Sequence, residues 1–150
     1  RLQITHQTGE ADCLRIREEY NRAGFGDSDV RSFISEMVEE FEKTDLIISR
    51  AGATTCAEVA AAGKAAIMIP LPTAADDHQR KNAEALQTSG AARMILQSDL
   101  SGERLAGEII GFINAPEKIG EMEKSAKSLA RKDAAETTVN IIEDLVRSKK

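Results

Sequence analysis

Apolar and polar residues alternate along this chain with two periods, and the switch between them marks its elements. Leu2-Gln3-Ile4-Thr5 alternates and predicts a short strand. His6-Gln7-Thr8-Gly9 follows as a polar turn, and 11 to 23 predicts a helix with Leu14, Ile16 and Tyr20 among its apolar positions. Gly24 and Gly26 end it. Residues 29 to 34 predict a second strand or extended segment, after which Ser35 caps a helix with Met37, Val38 and Phe41 as its apolar face. Leu46 to Ser49 is a third strand and Thr54 to Ala62 a third helix, closed by Gly63. Ala65 to Ile69 is a fourth strand, stopped by Pro70 and Pro72. Asp77 to Thr88 predicts a helix, Ala92 to Leu96 a fifth strand, and 103 to 114, 116 to 131 and 134 to 148 three further helices. The closing Arg147-Ser148-Lys149-Lys150 suits a helix C-terminus and implies nothing more.

Strands alternating with ten-residue helices predict an α/β fold: a Rossmann-like parallel sheet with helices on both faces. Its 150 residues read as a single domain, with an α/β core over 2 to 115 and a helical tail over 116 to 150. Aromatic residues make up 3% and tryptophan is absent, so the core must be aliphatic and alanine-rich. A net charge of −5 argues against a nucleic-acid partner. No apolar run approaches the ~18 residues of a membrane span, and no signal peptide opens the chain. Cys13 and Cys56 lack metal or redox spacing and read as reduced thiols of a cytoplasmic protein.

The candidate chemistry lies after the third and fourth strands, where open α/β sheets bind ligands. Gly52-Ala53-Thr54-Thr55 opens a helix whose free amides suit a phosphate, and Glu58 is placed to accept from a sugar diol. Thr55-x-x-Glu58 also fits a capping box, and spacing alone favours that reading. His78, Gln79 and Asn82 share one helical turn and suit sugar hydroxyls. The rival is a plain N-cap at Asp76 or Asp77 with a solvated first turn. His6-Gln7-Thr8-Gly9 either lines a cleft or only turns the chain. Phe33, Ile34 and Met37 make an apolar wall suited to a flat base, or simply core. The Glu36 to Glu42 cluster reads as a solvated face.

Taken as a set, these motifs carry a resemblance. His6-Gln7-Thr8-Gly9, Phe33-Ile34-x-x-Met37, Asp45 through Thr55-x-x-Glu58, Ala61-Ala62-Gly63-Lys64-Ala65, Ile69-Pro70 and Asp77-His78-Gln79-x-x-Asn82-Ala83 resemble, in order and spacing, the C-terminal domain of the MurG family of glycosyltransferases. The likeness covers residues 2 to 115, and the helices beyond match only in kind. It implies the donor half of a GT-B enzyme, one that completes lipid II from lipid I in peptidoglycan synthesis using UDP-N-acetylglucosamine (UDP-GlcNAc). It also implies a role for each residue. Ile34 offers backbone hydrogen bonds to uracil, flanked by Phe33 and Met37. Gly52, the amides of Ala53 and Thr54, and the Thr55 hydroxyl face the diphosphate. Glu58 holds the ribose diol, overriding the capping box. His78 and Gln79 face the transferred sugar, and Asn82 either joins them or braces the loop.

The same likeness implies an inverting reaction without metal or other cofactor. Its general base and acceptor site lie in the family's other half, so no catalytic base falls in this chain. Full-length members are peripheral on the inner face of the plasma membrane. The family's N-terminal domain is absent here, as are the opening strand and glycine-rich loop of the donor half. That strand belongs between the first and third strands seen here, so unpaired edges are expected. They call for self-association, a rearranged sheet or an origin in a longer gene. Rival readings are a non-catalytic donor-binding subunit of a split GT-B enzyme and a UDP-sugar epimerase-like piece.

Overall fold

The computed structural model describes residues 2–131 and 133–148, so Lys149 and Lys150 of the basic C-terminus lie outside it. The chain divides into two compact units, Arg1–Glu40 and Phe41–Lys150.

In the first unit, β1 (Thr5–Gln7) and β2 (Asp29–Arg31) pair in parallel, with His6 opposite Val30. The crossover between them is α1 (Glu10–Arg22). The predicted first strand is therefore displaced toward the C-terminus. Its ladder runs on through Thr8 N–H to the Arg31 carbonyl and Gly9 N–H to the Ser32 carbonyl, so His6 and Gln7 belong to the strand. Gly9 has φ +78, a left-handed value that glycine adopts without strain, and α1 opens immediately after it. Cys13, Ile16 and Tyr20 form the half-buried face of α1, at i, i+3 and i+7. Leu14 lies off that face and is 73% exposed. Val30 and Ile34 are the buried apolar side chains of this unit.

Helix α2 (Met37–Lys43) spans the change from one unit to the next. Val38, expected on its apolar face, is exposed.

The second unit holds a three-stranded parallel sheet, ordered β3 (Leu46–Ser49), β4 (Ala65–Met68), β5 (Ala92–Met94). Its crossovers are α3 (Ala53–Ala62) and α4 (His78–Thr88), followed by α5 (Gly102–Asn114), α6 (Glu117–Leu129) and α7 (Ala134–Arg147). All of β4 is buried, and its side chains alternate between two cores as the two-residue period requires. Ala66 and Met68 join Ile47, Val59, Ala83 and Leu86 beneath α3 and α4. Ala65, Ile67 and Ile69 join Ile95 and Phe112 of α5 on the other face. Helices thus cover both faces of this sheet, around an aliphatic and alanine-rich interior. Helix α6 contributes Met122 to one cluster and Ala126 to the other. Helix α7 buries no residue.

Among the described residues, no hydrogen-bonded pair joins the two sheets. Within the second unit's sheet, β3 and β5 are the two outer strands.

Candidate functional site

Helix α3 starts at Ala53, with Gly52 at its N-cap in an extended conformation and no side-chain cap. The first helical hydrogen bond runs from Cys56 N–H to the Gly52 carbonyl at 2.9 Å. The amides of Ala53, Thr54 and Thr55 therefore have no acceptor within the helix. Three donors and the positive end of the helix dipole face the same way, beside a residue with no Cβ.

Thr55 is the third helical residue, so it cannot serve as the N-cap of a capping box with Glu58. That helical reading fails on geometry. Glu58 lies one turn further on, exposed, with no hydrogen bond or ion pair among the described residues. A free carboxylate one turn from three free amides is an arrangement able to take a phosphate and a diol together.

The loop after β4 supplies the second set. Asp76 and Asp77 adopt left-handed φ values of 50° and 56° immediately before α4. Non-glycine residues hold such backbone at a cost of roughly 1 kcal/mol or more each. Asp77 occupies the N-cap position of α4, as the rival reading expected, but its side chain makes no cap bond. His78 Nδ1 lies 2.6 Å from the Ala75 carbonyl. A carbonyl only accepts, so Nδ1 carries a hydrogen in this contact and Nε2 is left to face outward partners. Gln79 Oε1 accepts from Leu71 N–H at 3.0 Å. Asn82 Nδ2 donates to the Ala51 carbonyl at 3.0 Å.

Two polar braces tie these loops together: Asn82 to Ala51, and Arg50 Nη1 to the carbonyls of Ile69 and Pro70 at 3.2 and 3.5 Å. Gly52 to Thr55 and Glu58 at the start of α3, and His78, Gln79 and Asn82 at the start of α4, are thus positioned by connected loops at the C-terminal ends of β3 and β4. Sequence reasoning missed Arg50, because a single arginine after a strand carries no signal of its own.

Phe33, Ile34 and Met37 lie in the first unit. Phe33 is 72% exposed, Ile34 is buried and Met37 half-buried. Ile34 N–H donates to Gln7 Oε1 at 2.8 Å, so a strand side chain holds the very amide that the resemblance offers to a base. Gln7 is a second residue whose role the sequence left open.

A third feature has no counterpart in the sequence reading. A cavity of about 490 Å³ lies between the loops that follow β4 and β5, lined by Pro70, Leu71, Pro72, Arg80, Leu96 and Gln97 among others.

Comparison with known proteins adds the following. The profile of the Glycosyltransferase family 28 C-terminal domain matches residues 1–138, well past the residue 115 at which the motif likeness stops. The chain is 52% identical over 140 residues to the UDP-N-acetylglucosamine--N-acetylmuramyl-(pentapeptide) pyrophosphoryl-undecaprenol N-acetylglucosamine transferase of Citrifermentans bemidjiense, covering 93% of this chain and 39% of that protein. It is 45% identical over 150 residues to the protein of the same name from Thermodesulfovibrio yellowstonii, covering 100% of this chain and 41% of the relative. The crystal structure of Acinetobacter baumannii MurG superposes with a TM-score of 0.81 at 36% identity, covering 95% of this chain and 41% of that one. The chain therefore spans about two fifths of the length of the relatives it matches.

Proposed function

The chain belongs to the family of glycosyltransferase family 28 C-terminal domains, and from that premise we propose that it binds UDP-GlcNAc as the donor part of a lipid II-forming N-acetylglucosaminyltransferase. The relatives' name states the donor sugar and an acceptor made of an N-acetylmuramyl sugar, a pentapeptide and a pyrophosphoryl-undecaprenol.

One observation carries the reading: α3 presents three unbonded amides beside Gly52, with an uncommitted Glu58 one turn on. The amides of Ala53 and Thr54 and the Thr55 hydroxyl take the diphosphate, and Glu58 takes the ribose hydroxyls. Gly52 lets the phosphate approach the backbone. For Phe33, Ile34 and Met37 of the first unit, the resemblance supports the uracil role. His78 and Gln79 hold the transferred sugar, His78 through Nε2, while Asn82 keeps the loop beside it in place.

In the reaction the acceptor's 4-hydroxyl attacks the anomeric carbon, the bond to the diphosphate oxygen breaks, and UDP departs with the electron pair. Negative charge grows on the leaving diphosphate. Preorganised amides that meet it stabilise the transition state more than the ground state. That makes the helix terminus the catalytic contribution of this chain and removes the need for a metal. The hydroxyl proton passes to a base outside it, in a part that also holds the acceptor sugar and rests on the inner membrane face. Among the described residues no helix is long and apolar enough to cross a membrane.

Isothermal titration with UDP-GlcNAc tests the reading. Glu58→Ala lowers affinity about tenfold or more, as expected when a charged hydrogen-bond acceptor is lost. Unchanged affinity would remove the ribose assignment.

A further inference from the structure

We propose that the cavity between the loops after β4 and β5 receives the peptide of the acceptor in extended form. This rests on the reading above, and it gives the donor part a direct hold on the acceptor.

The cavity is not part of the phosphate site. Its walls are the loop after β4, the segment after β5 and the Asp77–Arg80 side of α4. Arg80 turns toward Asp77, its partner at 4.0 Å just before α4, whereas Asn82 reaches Ala51 in the loop before α3.

Its chemistry is specific. Pro70, Leu71, Pro72 and Leu96 give an apolar wall, and Arg80 and Gln97 supply the polar groups. Among the described residues, Gln97 Oε1 is the buried side-chain oxygen or nitrogen without any hydrogen-bond partner. An acceptor shut away from both water and protein is costly, and native folds rarely keep one unmet. The last torsion of glutamine is soft, so Gln97 can turn its amide to face the cavity it lines. There it needs an N–H or O–H donor from a ligand.

Arg80 supplies a cation. Its own partners are Glu84 at 2.8 Å and Asp77 at 4.0 Å, with the guanidinium half exposed. Such surface pairs contribute little and exchange readily for another carboxylate.

An extended peptide meets these demands together. It brings amide N–H donors for Gln97, short apolar side chains for the proline and leucine wall, and carboxylates for Arg80. A second sugar would need several two-sided hydrogen-bonding groups, a pyrophosphate more than one cation, and a polyprenyl chain a wall without a buried polar acceptor. Location agrees with the chemistry. Gln79, assigned to the transferred sugar, bonds to Leu71 in the cavity wall at 3.0 Å, so a peptide here lies beside the reacting sugar.

The test is a nitrogen-labelled NMR titration of the whole chain with three probes: N-acetylmuramyl-pentapeptide, N-acetylmuramic acid and UDP-GlcNAc. The peptide-bearing probe shifts the backbone amides of Leu71, Gln97 and Ser98 and the side-chain amide of Gln97, and N-acetylmuramic acid leaves them in place. Gln97→Leu weakens the peptide-bearing probe about tenfold, the usual scale for one lost hydrogen bond to a buried group, without moving the UDP-GlcNAc shifts at Ala53 and Thr54. Arg80→Gln weakens it too and flattens its salt dependence. A cavity that stays silent to the peptide-bearing probe overturns the inference, and so do equal shifts from the peptide-free sugar or an unchanged affinity in Gln97→Leu. UDP-GlcNAc shifts that persist beside a silent cavity strike this inference alone. Absent UDP-GlcNAc shifts strike the donor reading instead.

Discussion

Asn82 Nδ2 donates to the Ala51 carbonyl at 3.0 Å, so the second turn of α4 holds the residue that leads into the Gly52 turn. Ala51 is fully buried, and an asparagine side chain carries the only amide that α4 sends to this loop among the described residues. The two segments that carry the site are thus coupled through a hydrogen bond with a buried end, in addition to the Arg50 brace.

Removing that donor therefore costs stability and donor affinity together. Asn82→Ala destabilises by about 1–2 kcal/mol, because a buried carbonyl loses a partner that water replaces poorly. Asn82→Asp is worse, since it sets one acceptor against another. Urea denaturation at constant m-value reads the loss, and titration with UDP-GlcNAc reads the displaced amides. A variant that loses affinity at unchanged stability would show that Asn82 acts on the sugar rather than on the loop.

Gln79 behaves differently. Its partner, the Leu71 amide, belongs to an exposed residue, so water takes over when the side chain is shortened. Gln79→Leu costs less than about 1 kcal/mol of stability but loses UDP-GlcNAc affinity. Gln79→Glu keeps an acceptor for Leu71 and retains the loop. A stability loss as large as that of Asn82→Ala would count against the sugar assignment.

The end of α3 makes a sharper structural prediction. Gly63 has φ +63, and its amide and that of Lys64 close the helix onto the carbonyls of Ala60 and Val59. A Cβ at this position would meet Lys127 Cγ at 2.2 Å. Gly63→Ala therefore destabilises by about 1–2 kcal/mol from left-handed strain and displacement of the Lys127 stem. Gly63→Ala with Lys127→Ala recovers the part due to the clash and leaves the part due to φ. A thermal melt of both variants separates the two.

How far the sequence exposes these relationships depends on what each residue touches. Leu46 to Ser49 is read to the residue, because the apolar run Leu46-Ile47-Ile48 between polar neighbours permits one short strand. The first strand shifts from 2–5 to Thr5–Gln7 because parallel pairing with Asp29–Arg31, not alternation, chooses its register. The capping box at Thr55 is a pattern that the helix start defeats: with Gly52 at the N-cap, the threonine falls a turn too late. The phosphate-binding turn is legible because its parts are contiguous. The Gln97 cavity is not, since its walls come from three separated segments and its one informative atom differs from other glutamine oxygens only in lacking a partner.

Charge at the diphosphate gives a prediction on metal. If helix amides and the Thr55 hydroxyl carry the binding, EDTA leaves the UDP-GlcNAc affinity unchanged, whereas Thr55→Val lowers it several-fold by removing one donor. A loss of binding on chelation that Mg²⁺ restores would sink the metal-free assignment.

The last prediction concerns alkaline pH and follows from Cys56. Burial against the β3–β4–β5 core raises its thiol pKa above the ordinary value, because the interior penalises the thiolate. In the unfolded chain the same thiol ionises at about 8.5. Between those two values the folded state holds more protons than the unfolded state, so stability falls as pH rises, and below the unfolded value the effect is absent. Tyr20 is also raised by burial and adds a loss of the same sign, but only above about 10. The window from 8.5 to 10 therefore lies below the range in which Tyr20 contributes. Cys13 is present in both wild type and Cys56→Ala, so the difference between them isolates Cys56. The wild type loses stability across this window with a limiting slope of at most about 1.4 kcal/mol per pH unit, and Cys56→Ala flattens it. Urea denaturation at half-unit steps from pH 7.5 to 10 measures the two curves. Parallel curves across that window would mean that Cys56 sits in a wetter place than its packing against α3's neighbours implies.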